Sequence, residues 1–186
     1  MKRRMNRLLL SGVLAVAAAG SLTAAAQAGP AAPELPAGLD PVPAGHKVFL
    51  VGHATGVQIY RCTVTGDGYA WGFVAPRADL YDNQGKLLMT HYGGPTWEAR
   101  DGSTVKAARV DGVTLDPNDI PWLLLATSSA TAGPDGDRLA GTTYIQRLAT
   151  DGGVAPPPNQ CDADTVGEVV EIPYTGDYYF CKKQAA

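Results

Sequence analysis

The chain has 186 residues, 22 of them Gly and 14 Pro, about a fifth turn formers against a usual ~12%, and that excess argues against a helical bundle. Apolar residues make up 45% and charged ones 18%, a balance that fills one core and lies far from the charge-rich composition of disordered chains. The formal net charge is −3 with no basic run beyond the extreme N-terminus, so nothing suits a phosphate backbone and no nucleic-acid partner is expected.

Residues 1–28 read as a cleaved signal peptide. Lys2, Arg3, Arg4 and Arg7 form its positive start, residues 8–19 an apolar stretch broken only by Ser11 and Gly12, and Ala26, Gln27 and Ala28 the small-x-small cleavage pattern. The stretch is shorter than the roughly 20 apolar residues that span a bilayer, so an anchor is the poorer reading. Arg3 and Arg4 lack the surroundings of a twin-arginine signal, and general secretion is the preferred route. Cleavage would remove four basic groups and no acidic one, taking the charge from −3 to −7. A secreted protein, extracellular or in the periplasm or cell envelope, is expected, with no membrane span after cleavage.

Pro30, Pro33, Pro36, Pro41 and Pro43 crowd residues 29–46. They remove backbone donors and forbid regular helix, so this part reads as an extended arm. A single β-domain is expected over residues 47–186. Within it, eleven short apolar or alternating runs recur at 48–51, 57–64, 69–74, 78–81, 86–92, 96–99, 105–110, 122–128, 142–150, 166–172 and 177–181. In 57–64, Val57 and Ile59 point one way and Tyr60, Cys62 and Val64 the other, the period of a strand. Gln58 is expected to share little facing with Tyr60. Asp82, Asn83, Gln84 and Gly85 form a turn that makes residues 78–92 a hairpin. Residues 101–103 separate Trp97 from Val105 in the same way, and residues 116–119 read as one helical turn capped by Asp116. The expected fold is all-β: an antiparallel β-sandwich or barrel-like sandwich with minimal helix.

Outside the cytoplasm, Cys62, Cys161 and Cys181 point to one disulfide and one spare thiol. Cys62 with Cys161 would tie a proline-rich return loop to an early strand and is preferred. Cys161 with Cys181 is the rival. None of the three cysteines stands at a Cys-x-x-Cys spacing, so no zinc site is expected.

Residues 56–62 (GVQIYRC), 94–98 (GPTWE), 101–103 (DGS), 121–124 (PWLL) and 145–147 (IQR) occur in that order, followed by Cys161 and Tyr174. Together they resemble domain-of-unknown-function family 3455, over roughly residues 53–180. The resemblance implies a secreted bacterial or fungal protein of no established activity and carries over no catalytic residue. It also implies the Cys62 and Cys161 pairing, since both fall in the family's motifs. Cys181 stands where members usually end on an aromatic, which leaves it as the spare thiol.

Candidate chemistry concentrates in residues 91–103. His91 could act as general base or metal ligand, Glu98 or Asp101 as acid or second ligand, and Trp97 as an apolar wall that raises a carboxyl pKa. The plainer reading makes Trp97 a core or rim aromatic and residues 101–103 a turn, and it carries more weight. His46 and His53, seven apart, would face opposite sides of an unbroken strand and could not share an ion, so no metal and no cofactor are expected. Tyr60 is expected beside the proposed bridge, Trp71 and Trp122 in the inter-sheet core, and Arg147 in an ion pair with a carboxylate such as Glu98. Trp97, Tyr60, Gln58 and Arg147 are the candidate binding residues, with a glycan or another envelope protein as partner. No nucleophile elbow, His-Glu-x-x-His pair or phosphate loop is present. The leading expectation is therefore a non-catalytic, exported binding or envelope-associated module. The alternative is a secreted hydrolase or metal-dependent enzyme around His91, Glu98 and Asp101.

Overall fold

The computed structural model describes residues 30–185, and the signal peptide read over residues 1–28 lies outside them. Eight strands account for most of what is described: β1 (His46–Thr65), β2 (Gly68–Tyr81), β3 (Leu87–Tyr92), β4 (Thr96–Ala99), β5 (Thr104–Val113), β6 (Trp122–Thr131), β7 (Tyr144–Gly152) and β8 (Val169–Lys183). Each pairs antiparallel with the next, and β8 returns to β1, so one continuous sheet closes into a barrel. Closure leaves no unpaired edge. The all-β antiparallel expectation thus holds, in its barrel form, with one short helical element among the described residues, the 3-10 turn Pro158–Gln160.

The eleven runs collapse to eight strands because glycine and proline inside a strand resemble breaks. Residues 48–51 and 57–64 are both β1, residues 69–74 and 78–81 both β2, and residues 166–172 and 177–181 meet in β8. Gly56 shows the reason: a Cβ there would lie 2.2 Å from the Arg77 carbonyl oxygen. Its missing side chain lets β1 bend tightly against β2 without ending. The predicted hairpin is present, its turn held by Asp82 Oδ1, which accepts from the backbone N–H groups of Gln84 and Lys86, both at 2.9 Å. Residues 116–119 form a turn without helix, in which Asp116 Oδ1 accepts from the N–H of Asn118 at 2.8 Å. The side chain competes locally for the donors a helix would need.

Inward-pointing Leu80, Met89, Trp97, Val105, Ile145 and Phe180 fill the interior and are essentially inaccessible. One end of the barrel is sealed. There the β6–β7 loop folds across, and Leu139, fully buried, inserts into the core. Its N–H bonds to Ser103 Oγ at 3.1 Å, while Asp101 accepts from Ser103 Oγ at 2.6 Å and from the Arg138 N–H at 2.9 Å. Gly133 closes the seam, since a Cβ on it would stand 2.2 Å from the carbonyl oxygen of Asp101.

The proline-rich arm is not free of the barrel. Leu35, Leu39 and Val42 lie on its outer wall against Leu124, Leu148, Trp122, Tyr144 and Tyr179, a second apolar cluster outside the first. Asp40 N–H donates to Asp111 Oδ2 at 2.7 Å. Burial of this stripe secures a segment whose prolines leave it little backbone bonding of its own. It also corrects the placement of Trp122, which is half-buried under the arm and outside the barrel core. Trp71 is likewise only half-buried.

Cys62 and Cys161 are bonded, with Cα atoms 5.4 Å apart and a sequence separation of 99. The bridge fixes the long β7–β8 loop to β1 at the end opposite the Leu139 plug. Cys181 is the free, buried thiol.

Candidate functional site

The barrel is sealed at one end and hollow at the other. Behind the open end lies a cavity of about 390 Å³, within the size range of small-molecule sites. Fully buried Trp97 and Tyr178, with His91 at 4% exposure, stand at its inner end. Gln58, Tyr60, Ile120, Leu123, Leu125 and Arg147 form its walls, and exposed Phe73, Pro95 and Arg109 mark the mouth.

Strand alternation explains this set. His91 on β3 pairs across to Trp97 on β4, which pairs to Val105 on β5, so all three side chains point inward. Leu125 faces Arg109, Leu123 faces Arg147, and Arg147 faces Tyr178 in the β5 to β8 ladder. Gln58 and Tyr60, expected to diverge, both line the cavity. Both are even-numbered positions on β1, where the even positions from Gly52 to Cys62, Gly56 apart, are buried.

The imidazole of His91 stacks on the Trp97 indole with ring centres 4.1 Å apart and planes 7° apart, and Tyr178 meets both rings edge-on. His91 Nδ1 donates to the Thr96 carbonyl at 2.9 Å, which leaves Nε2 unprotonated. Burial takes its pKa down to about 4, with a smaller push from the Arg147 charge. At neutral pH it is an uncharged ring and a weak base. The phenol of Tyr60 donates to the Gly153 carbonyl at 2.7 Å, and burial raises its pKa. Tyr174 and Tyr178 share a hydroxyl contact of 3.2 Å. Gln58 Nε2 and Trp97 Nε1 are buried donors without a partner.

The mouth is held open by bonds to the β5–β6 loop. Arg147 Nε and one terminal nitrogen both donate to the Pro121 carbonyl, at 3.1 and 2.8 Å. Thr150 Oγ1 donates to the Ile120 carbonyl at 2.6 Å, and the Gly152 N–H to Asp119 Oδ1 at 2.6 Å. The expected pairing of Arg147 with Glu98 is therefore corrected: Arg147 lies inside on β7, whereas Glu98 projects outward from β4 and accepts from Tyr92 Oη at 2.7 Å. Alternation separates Glu98 from the inward-facing Trp97 beside it.

The structure gathers Gln58, Tyr60, His91, Trp97 and Arg147 around one cavity, and it brings Glu98 and Asp101 to neither that cavity nor each other. Asp101 belongs to the seal at the opposite end, where its bond from Ser103 lowers its pKa. His46 and His53 also differ from expectation, because a register shift at Val48/Leu50 breaks the alternation between them. His53 is held by Asp177 and Asn83, both at 2.7 Å, and His46 by the Pro43 carbonyl at 2.9 Å. Among the described residues no cluster of three or more potential metal ligands occurs. Tyr178 and Arg109 join the site although no sequence motif marks them. For Arg109 the signal exists: it continues the face of Val105 and Ala107, a cation on the apolar side of a strand.

Comparison with curated proteins finds no match, and comparison with solved structures finds none. Residues 43–182 match a family described as "Protein of unknown function (DUF3455)". That span runs from just before β1 to the last turn-out of β8 and takes in all the strands that wall the cavity, and the chain belongs to this family.

Proposed function

We propose that the protein is a binding protein of the extracytoplasmic space that takes a small, largely apolar molecule into the open end of its barrel. The observation that carries this reading is a cavity of about 390 Å³ behind the open end, walled chiefly by aromatic and aliphatic side chains. A sugar would need a dense set of polar partners for its hydroxyls, and these walls supply few, so an apolar body is the better fit than a glycan. The loop at the mouth is pinned by four side-chain bonds, so the site is preformed and little ordering opposes binding. The disulfide and the basic, then apolar start of the chain support a location outside the cytoplasm.

The test uses a neutral apolar fluorophore, N-phenylnaphthylamine, titrated into the protein. Leu123→Trp places a large ring in the cavity without emptying the core beneath. Saturable, one-to-one fluorescence gain in the native protein, weakened about ten-fold or more in the variant, is expected. Equal binding by both, with the fold of the variant intact by circular dichroism, would remove the barrel interior as the site.

A further inference from the structure

Resting on the binding reading above, we infer that the ligand is an organic anion: an apolar body lying over Trp97 and Tyr178, carrying one carboxylate held by Arg147 and Arg109. The cavity lining includes these two guanidinium groups and no carboxylate. Neither arginine forms an ion pair among the described residues. This is unexpected in a chain whose acidic groups outnumber its basic ones, 18 to 15, and whose arginines could have found surface partners. Arg147 gives Nε and one terminal nitrogen to the Pro121 carbonyl, which locks the plane of the guanidinium and leaves its remaining N–H groups free. Arg109 gives one bond, to the Gly112 carbonyl at 3.2 Å. A planar fork so held suits a carboxylate, which can accept two parallel bonds.

The charge of Arg147 is felt across the cavity, where it opposes protonation of His91 and favours ionisation of Tyr60 and Tyr174. A largely apolar cup lined by two arginines and no carboxylate draws an anion and rejects a cation of the same shape.

Isothermal titration with decanoate, 1-decanol and decyltrimethylammonium separates the head group from the chain. Decanoate is expected to bind about ten-fold or more tightly than 1-decanol, and the ammonium compound not at all. In the Arg109→Gln/Arg147→Gln double variant the preference for decanoate over 1-decanol should vanish while 1-decanol binding persists, and Arg147→Lys alone should retain most of it. If 1-decanol binds the native protein as tightly as decanoate, the anion inference is wrong and the binding reading survives. If no compound binds, both are wrong.

Discussion

His91 lies flat against Trp97, ring centres 4.1 Å apart, while its Nδ1 proton is given to the carbonyl of Thr96, the residue just before that tryptophan. The pair turns an ionisable side chain into part of the barrel's aromatic interior. Because burial depresses the folded pKa to about 4 from 6.5, the unfolded chain binds the proton more readily between those values. Stability is therefore intact above pH 6.5 and falls as pH drops through that window, by roughly 3 kcal/mol at 1.36 kcal/mol per pKa unit. Urea denaturation at a series of pH values, compared with His91→Phe, measures this: the variant should lose that part of the slope. In the native protein, the His91 ring should titrate near pH 4 by nuclear magnetic resonance.

The seal is predicted to be a structural device with no part in binding. Leu139→Ala removes a fully buried side chain and should cost about 3 kcal/mol by denaturant unfolding, the cost of an apolar truncation that leaves a cavity. Fluorophore affinity at the other end should change less than two-fold under conditions where the variant is folded.

Reduction of the Cys62–Cys161 bridge, or Cys62→Ala with Cys161→Ala, frees a loop of 99 positions. The chain-entropy relation puts the loss at up to about 4.7 kcal/mol, with measured losses commonly 2–5 kcal/mol. Since the bridge fixes the β7–β8 loop at the open end, ligand affinity should fall along with the melting temperature. An unchanged melting temperature would contradict the role assigned to the bridge.

Cys181 should be chemically silent in the folded protein. It is 1% exposed, and burial pushes its thiol up to about 11, so the reactive thiolate is scarce at neutral pH. A thiol reagent such as iodoacetamide should leave it unmodified until denaturant is added. Rapid labelling of the native protein, or a covalent dimer through Cys181, would contradict its burial.

Much of the fold is legible in particular residues. The alternation in 57–64, the Asp82 to Gly85 turn and the cysteine arithmetic all correspond to what is seen in β1, the β2–β3 hairpin and the bridge. What local reading cannot show is that Gly56 and Pro76 lie inside strands, because their fitness depends on how β1 curves against β2. The site was half legible. His91 and Trp97 are neighbours across two strands, but Glu98, adjacent in sequence to Trp97, faces away by the same alternation that makes the strand. Density of ionisable residues along a strand counts both faces at once. The Arg147 to Pro121 clasp spans 26 positions, and no local pattern encodes it. Arg109 was within reach, as the one cation on the inward face of Val105 and Ala107.

The most direct test follows the indole N–H resonances of the three tryptophans in a nitrogen-15 labelled sample as decanoate is added. Trp97 lines the cavity, whereas Trp71 and Trp122 do not. A saturable shift of the Trp97 signal, with those of Trp71 and Trp122 unmoved, is the predicted result. A Trp97 signal that stays fixed throughout, or three signals that drift together without saturation, would contradict a binding site inside the barrel.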